Sequence, residues 1–279
     1  MAPDNRLKSL LVAVSTDERN VALDHAFGLA QAYRSRLTAY VFAPALLQPF
    51  PLTLGASSMW IAQETDRIKT LCGQAVQTIR QRASEQGVPI EIEHAYSLFD
   101  GRYSRFIALA RLHDMTILQS AGTTDFSWSR TAIEHALFDA GRPIWVTSQA
   151  QFEVPKRVAI AWDGSAQVAR AVRDSLDLLL KADHVTIATI VDIKGSQGLQ
   201  SADELVEYLA LYGITSDIAV IASIPGDDEG LPLRQFVVNQ QADLLVMGAF
   251  VHSRLRQAIL GGVTRSLLAQ CPVPVFMAH

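Results

Sequence analysis

The sequence predicts an α/β protein of two tandem units, each a five-stranded parallel sheet flanked by helices. Short apolar runs alternate with amphipathic helical runs along the chain, with no tight hairpin signal between them. That alternation implies parallel strands joined by right-handed crossovers. The pattern starts again near residue 156, and 279 residues suit two such units.

In the first unit, Leu10 to Val14 reads as a strand. Val21 to Tyr33 reads as a helix with Val21, Ala22, Ala26, Leu29 and Ala30 on one face. Leu37 to Phe42 is the second strand. The turn-rich, apolar insertion PALLQPFPLTLGASS follows from Pro44; it either covers a core or seam, or offers a patch to a partner. A helix from about Met59 to Gln86 spaces Ile61, Ile68, Cys72, Ala75, Val76 and Ile79 along one face, and Gly87 stops it. A strand at Pro89–Tyr96, a helix at Arg102–His113 and a strand at Met115–Ser120 come next. A helix at Ser129–Ala140, stopped by Gly141, and a strand at Pro143–Thr147 close the unit.

The second unit has strands at Lys156–Trp162, His184–Val191, Ile214–Ala222, Leu244–Met247 and Val273–Met277. Its helices are expected at Ala166–Ala182, Ser201–Leu211, Leu231–Gln241 and Val263–Ala269. Asp114 matches Asp243 and Pro143 matches Pro272, both 129 positions apart. At the front, Val12 matches Val158 at 146, and one insertion of about 17 residues after Pro44 reconciles the offsets. The boundary falls near QFEVP, giving units 1–150 and 151–279.

A net charge of -4 leaves no basic excess to neutralise the phosphates of a nucleic acid. The N-terminus lacks a signal-peptide pattern, and no stretch reaches the ~18 apolar residues of a membrane span, so a cytoplasmic location is expected. Cys72 and Cys271 make neither a disulfide framework nor a metal site, and the histidines lack metal-ligand spacing. There is no nucleophile elbow and no GxxxxGK[ST] loop, so no catalytic set stands out.

One stretch does carry chemistry. Leu244 to Met247 is a buried strand ended by Gly248; a basic loop with His252, Ser253, Arg254 and Arg256 leads to Gly261, Gly262 and a helix. Glycines let backbone approach an anion, and the free N–H groups of a helix start point at it. Thr264 adds a hydroxyl, and Ser253 is another candidate. In a parallel sheet the ligand crevice lies outside the carboxyl ends of the strands, where Asp163 and Gly248 face each other. Asp163 also suits a helix cap, and His252 also suits a solvated loop. The acids of PGDDEG are either Mg2+ ligands or a solvated turn.

These residues carry a resemblance. VAIAWDGS, MGAFVHSRLRQAILGGVTRSLL and CPVPVFM resemble the universal stress protein family over residues 156–279, in its tandem-domain branch. The family motif is Gly, two residues, Gly, nine residues, Gly, then Ser or Thr. Here Gly248 and Gly261 match, while Val251 and Gly262 depart from it. If the second position is left-handed, valine there costs roughly 1–2 kcal/mol. The resemblance implies Rossmann-like (adenine nucleotide alpha hydrolase-like) domains that bind ATP or another adenine nucleotide, with Mg2+ as a possible companion. Carried onto matching positions, Ala161 and Asp163 would lie near the adenosine and Ile190 at the adenine. Met247 and Gly248 would flank base and ribose, and Gly261, Gly262, Val263 and Thr264 would hold phosphates. The last strand would pair the two units as a pseudo-dimer, or pair two chains as a homodimer.

In the first unit, Gln119 stands opposite Gly248, and Ala132 and Ile133 stand opposite Gly261 and Gly262, so no glycine cradle remains. Asp17 is matched to Asp163 at the offset of 146. The expected function is a stress-response protein with one adenine-nucleotide site, in the second unit, acting through nucleotide-dependent interaction. The alternatives are an interaction protein whose site is lost and a slow ATP hydrolase.

Overall fold

The structure is a computed structural model. It describes residues 7–16, 20–43, 56–94, 101–120, 128–149, 151–191, 197–222, 228–249, 262–270 and 272–279. The first half runs β1 (Ser9–Ser15), α1 (Val21–Tyr33), β2 (Arg36–Phe42), α2 (Ala56–Glu85), β3 (Ile90–His94), α3 (Gly101–Leu112), β4 (Met115–Gln119), α4 (Trp128–Glu134) and β5 (Ile144–Thr147). The second runs β6 (Arg157–Ala161), α5 (Ala166–Asp174), α6 (Leu176–Leu179), β7 (His184–Val191), α7 (Gln197–Ala210), β8 (Ser216–Ala222), α8 (Leu231–Asn239), β9 (Leu244–Gly248), α9 (Gly262–Gln270) and β10 (Val275–Ala278).

All ten strands form one sheet in the order β3-β2-β1-β4-β5-β10-β9-β6-β7-β8. Each half contributes a parallel set of the same order, and the sets meet where β5 and β10 pair antiparallel, Trp145 opposite Phe276. The expected edge is thus used within the chain, and the outer strands are β3 and β8. Alternation along each strand sorts the apolar side chains into two layers. Leu10, Val12 and Val14 face one layer with α1, α2, α5 and α7; Leu11 and Ala13 face the other with α3, α4, α8 and α9. Both layers draw residues from both halves, so the core is continuous across the seam.

The helix faces read from spacing are the buried ones. Val21, Ala22, Ala26, Leu29 and Ala30 of α1 are all buried. On α2, Ile68, Cys72 and Ile79 are buried but Ile61 is 39% exposed. Thirty residues of helix span about 45 Å, far more than the five-residue β3 beside it, so the first turns overhang the sheet. The helix expected over 166–182 breaks at Ser175, whose hydroxyl donates back to the Val172 carbonyl (3.0 Å). The helix expected to end at Ala140 widens into a π turn over His135–Asp139. The insertion after Pro44 falls mainly on residues 44–55, and it and Cys271 lie outside the described residues.

The structure corrects two register assignments, each by two residues. The Asp114 carboxylate accepts from the N–H groups of Lys8 and Ser9, and the Asp243 carboxylate from those of Lys156 and Arg157. Lys8 therefore matches Lys156, an offset of 148 (156 minus 8), and Val158 takes the place of Leu10, not Val12. Likewise the Thr116 N–H donates to Pro143 and the Leu245 N–H to Pro274, so Pro143 matches Pro274 rather than Pro272. Both slips have one cause: a strand repeats its facing every two residues, so a two-residue shift leaves the hydrophobic pattern unchanged. At the corrected offset Ser15, not Asp17, stands where Asp163 stands; Asp17 lies outside the described residues.

Candidate functional site

The carboxyl ends of β6, β7 and β9 enclose an apolar pocket of about 140 Å³. β6 lies between β9 and β7, so the pocket sits at the switch point of the second half. β6 supplies Ala161, with Trp162 and Asp163 just beyond it; β7 supplies Ala188 and Ile190; β9 supplies Met247 and Gly248. Leu233 of α8 and Val263 of α9 close the far wall. Ala161 and Ala188 are directly paired across the strands, and their short side chains leave the opening. Ile190, 40% exposed, forms the rim.

The turn after β6 is tightly fixed. The Trp162 N–H donates to the Ala188 carbonyl (2.8 Å), and its indole Nε1–H donates to Ser201 Oγ on α7 (3.0 Å). Asp163 Oδ1 accepts from the Ser165 N–H (2.9 Å) across Gly164, whose φ of +75° belongs to the left-handed region. Ser165, not Asp163, caps α5: its hydroxyl accepts from the Val168 N–H (3.3 Å). Asp163 is exposed and brings the one carboxylate among the described residues of the pocket wall.

Gly248 is required here by packing alone. A Cβ at this position would come 2.6 Å from the Val168 nitrogen and 2.9 Å from Gln167 Cβ, so the strand end abuts the start of α5. Its glycine is explained without any ligand.

The expected phosphate end is built differently. Gly262 opens α9, and a Cβ there would come 2.7 Å from Cδ of Glu229 and 3.1 Å from Oε1, with Oε2 closer still. A carboxylate thus lies over the start of the helix. Thr264 is fully buried and is not part of the pocket wall. His252, Ser253 and Gly261, with Val251, Arg254 and Arg256, lie outside the described residues. The apolar wall suits a flat ring, while the carboxylate over the described start of α9 does not suit phosphates.

Asp228 of the PGDDEG loop is already engaged. Its carboxylate is ion-paired with Arg234, accepts from Ser266 Oγ on α9 (2.6 Å) and from the Gly230 N–H (3.1 Å). The bonds from Arg234 and Ser266 hold its pKa down to about 2. This clasp ties the loop to α9. Among the described residues, no three His, Cys, Asp or Glu gather to hold a metal, and no helix is long and apolar enough to cross a membrane.

Sequence reasoning missed Trp162, Ala188 and Leu233, and read Glu229, with the other acids of PGDDEG, as either a Mg2+ ligand or part of a solvated turn. Ala188 was within reach, since it shares a strand face with Ile190 two residues on. Trp162 sits beside Asp163 in the same motif. Leu233 carries no local signal, and nothing local links Glu229 to the start of α9.

Residues 155–279 match the model of the universal stress protein family. No curated protein matches the chain. A universal stress protein from Archaeoglobus fulgidus DSM 4304 superposes with a TM-score of 0.68 at 15% identity, over 99% of this chain and 98% of that one. A functionally unknown protein from Pseudomonas aeruginosa PAO1 gives 0.58 at 16% identity, over 98% and 92%. At such identities the likeness is one of fold.

Proposed function

On the premise that residues 155–279 are a domain of the universal stress protein family, we propose that this chain binds one adenine ligand, a nucleotide or nucleoside, in its second half. The family and fold support a stress-response role. One observation carries the ligand reading. Ala161, Asp163, Ile190, Met247 and Gly248, assigned to an adenosine site from the sequence, line one apolar pocket at the switch point, joined there by Val263, which was assigned to the phosphates. A flat aromatic base suits such a wall, and Asp163 offers acceptor oxygens to a ribose or an exocyclic amine. Acting through the occupied pocket, the ligand would alter the surface around α9 and the rim at Ile190, and partners would read that change.

The test is native mass spectrometry with adenosine, AMP and ATP, paired with hydrogen exchange. One adenine ligand per chain, with protection at β7, β9 and α9, is the expected result. Two per chain would place a second site in the first half, and none at millimolar concentration would sink the reading. The last outcome would favour an interaction protein that works without a ligand.

A further inference from the structure

Two facts about the site pull in different directions. The pocket wall is apolar and shaped for a ring, yet the helix start beside it already faces an anion. Glu229 is not loosely placed. Asp228 before it is held by Arg234 and Ser266, and Gly230 after it is buried, with a Cβ there meeting Ser266 Cβ at 2.8 Å. Ser266 belongs to α9 itself, so the Glu229 backbone is fixed to the helix whose first residue its carboxylate covers. The next residue of that helix, Val263, is part of the pocket wall.

We propose that Glu229 is a charge filter, and that the pocket takes an uncharged purine nucleoside in preference to a nucleotide. The proposal rests on the adenine reading of the pocket. A ligand seated with its base between Ala188 and Met247 and its tail toward α9 would bring any phosphate against the Glu229 carboxylate. The helix start that ordinarily favours an anion already lies against the Glu229 carboxylate. Like charges a few ångströms apart repel, and the repulsion grows with each added phosphate charge. A nucleoside carries no such charge and is not repelled.

Calorimetric titration of the whole chain with adenosine, AMP and ATP tests this, in EDTA and again in excess Mg2+. Without metal, adenosine should bind at least about tenfold more tightly than ATP, with AMP between them. Glu229→Gln should raise ATP affinity by at least about tenfold while leaving adenosine within about threefold. Glu229→Ala, at an exposed site, should repeat the effect and separates charge from any fault peculiar to glutamine. The proposal is overturned if wild-type protein prefers ATP in EDTA, or if both variants leave the ATP affinity unchanged. It is also overturned if Mg2+ tightens ATP binding and Glu229→Gln abolishes that gain, since Glu229 would then be a metal ligand. If neither adenosine nor ATP binds, the adenine reading itself fails, an outcome distinct from a wrong order of preference.

Discussion

The two halves share a scaffold, and the same positions are open in one and filled in the other. At the corrected offset Ala188 stands where Tyr40 stands, since Ala161 pairs with Ala188 as Ala13 pairs with Tyr40. By the same offset Ile190 matches Phe42. In the first half Tyr40 is fully buried and packs edge-on against Phe42 at 4.8 Å, with Tyr103, Phe106 and Trp128 around Phe42. An aromatic cluster occupies the space that two alanines leave open in the second half. Gly248 likewise matches Gln119, whose Oε1 accepts from the Val21 N–H at the start of α1 (3.2 Å). The first half thus spends side chains on its own core and helix end where the second half keeps a cavity. A parallel-sheet switch point supplies the location of a site; side-chain size there decides whether one exists.

The largest effect should come from emptying the filled half. Tyr40→Ala removes a fully buried ring and should cost about 3–5 kcal/mol in urea unfolding. It should not create a second adenine site, because Gln119 still covers the helix start. Filling the open half is the converse. Ala188→Tyr should reduce adenine binding at least about 100-fold by calorimetry while costing about 1–3 kcal/mol of stability. Retained binding in that variant would move the ligand away from the pocket.

Acid should also separate the halves. His25, buried on α1, donates from Nε2 to the Gln149 carbonyl (3.1 Å), and among the described residues its Nδ1 has no hydrogen-bond partner. Burial pushes its pKa down from 6.5 to about 4, against the smaller opposing pull of that carbonyl and Asp24. The unfolded chain therefore takes up this proton first. The stability linked to neutral His25 is complete above pH 6.5 and is lost as pH falls toward 4, by on the order of 3 kcal/mol. Asp228 in the second half has its pKa lowered to about 2, so its clasp persists until pH falls below the ordinary carboxylate range. Hydrogen exchange at pH 5 against pH 7 should show β5 and α1 loosening before α8 and α9. Equal loosening would remove His25 as the acid-sensitive point.

The smallest effects concern the helix starts. Ser165→Ala should cost about 1 kcal/mol, because the Val168 N–H loses its acceptor. Gln119→Gly should cost a similar amount through the Val21 N–H. If Gln119→Gly proves neutral, its bond to α1 is not what keeps a glutamine there.

Much of the fold was legible because period and punctuation are local. The span Val21–Tyr33 follows from its apolar face, and Gly87 and Gly141, at φ +65° and +66°, end helices as their type demands. The half-to-half register was legible at Asp114 and Asp243 but not at Val12 and Pro143, because a two-residue slip keeps every side chain on its own face. In the site, Ala161, Asp163, Ile190, Met247 and Gly248 were readable from their motifs at strand ends. Glu229 was not, because it reaches Gly262 across 33 positions (262 minus 229) only after β8 and β9 have placed α8 and α9 side by side.

By itself the sequence determined the alternation of strands and helices, the two-unit plan and the place where a ligand would lie. Those follow from hydrophobic period and glycine position, which each segment carries alone. Only the tertiary structure decided that the expected edge is used within one chain, joining β5 to β10, that Tyr40 and Phe42 close the first switch point, and that Glu229 covers the start of α9. The reason is that volume and charge at a site belong to pairs of residues distant in the chain, and no local pattern records which pairs the fold brings together.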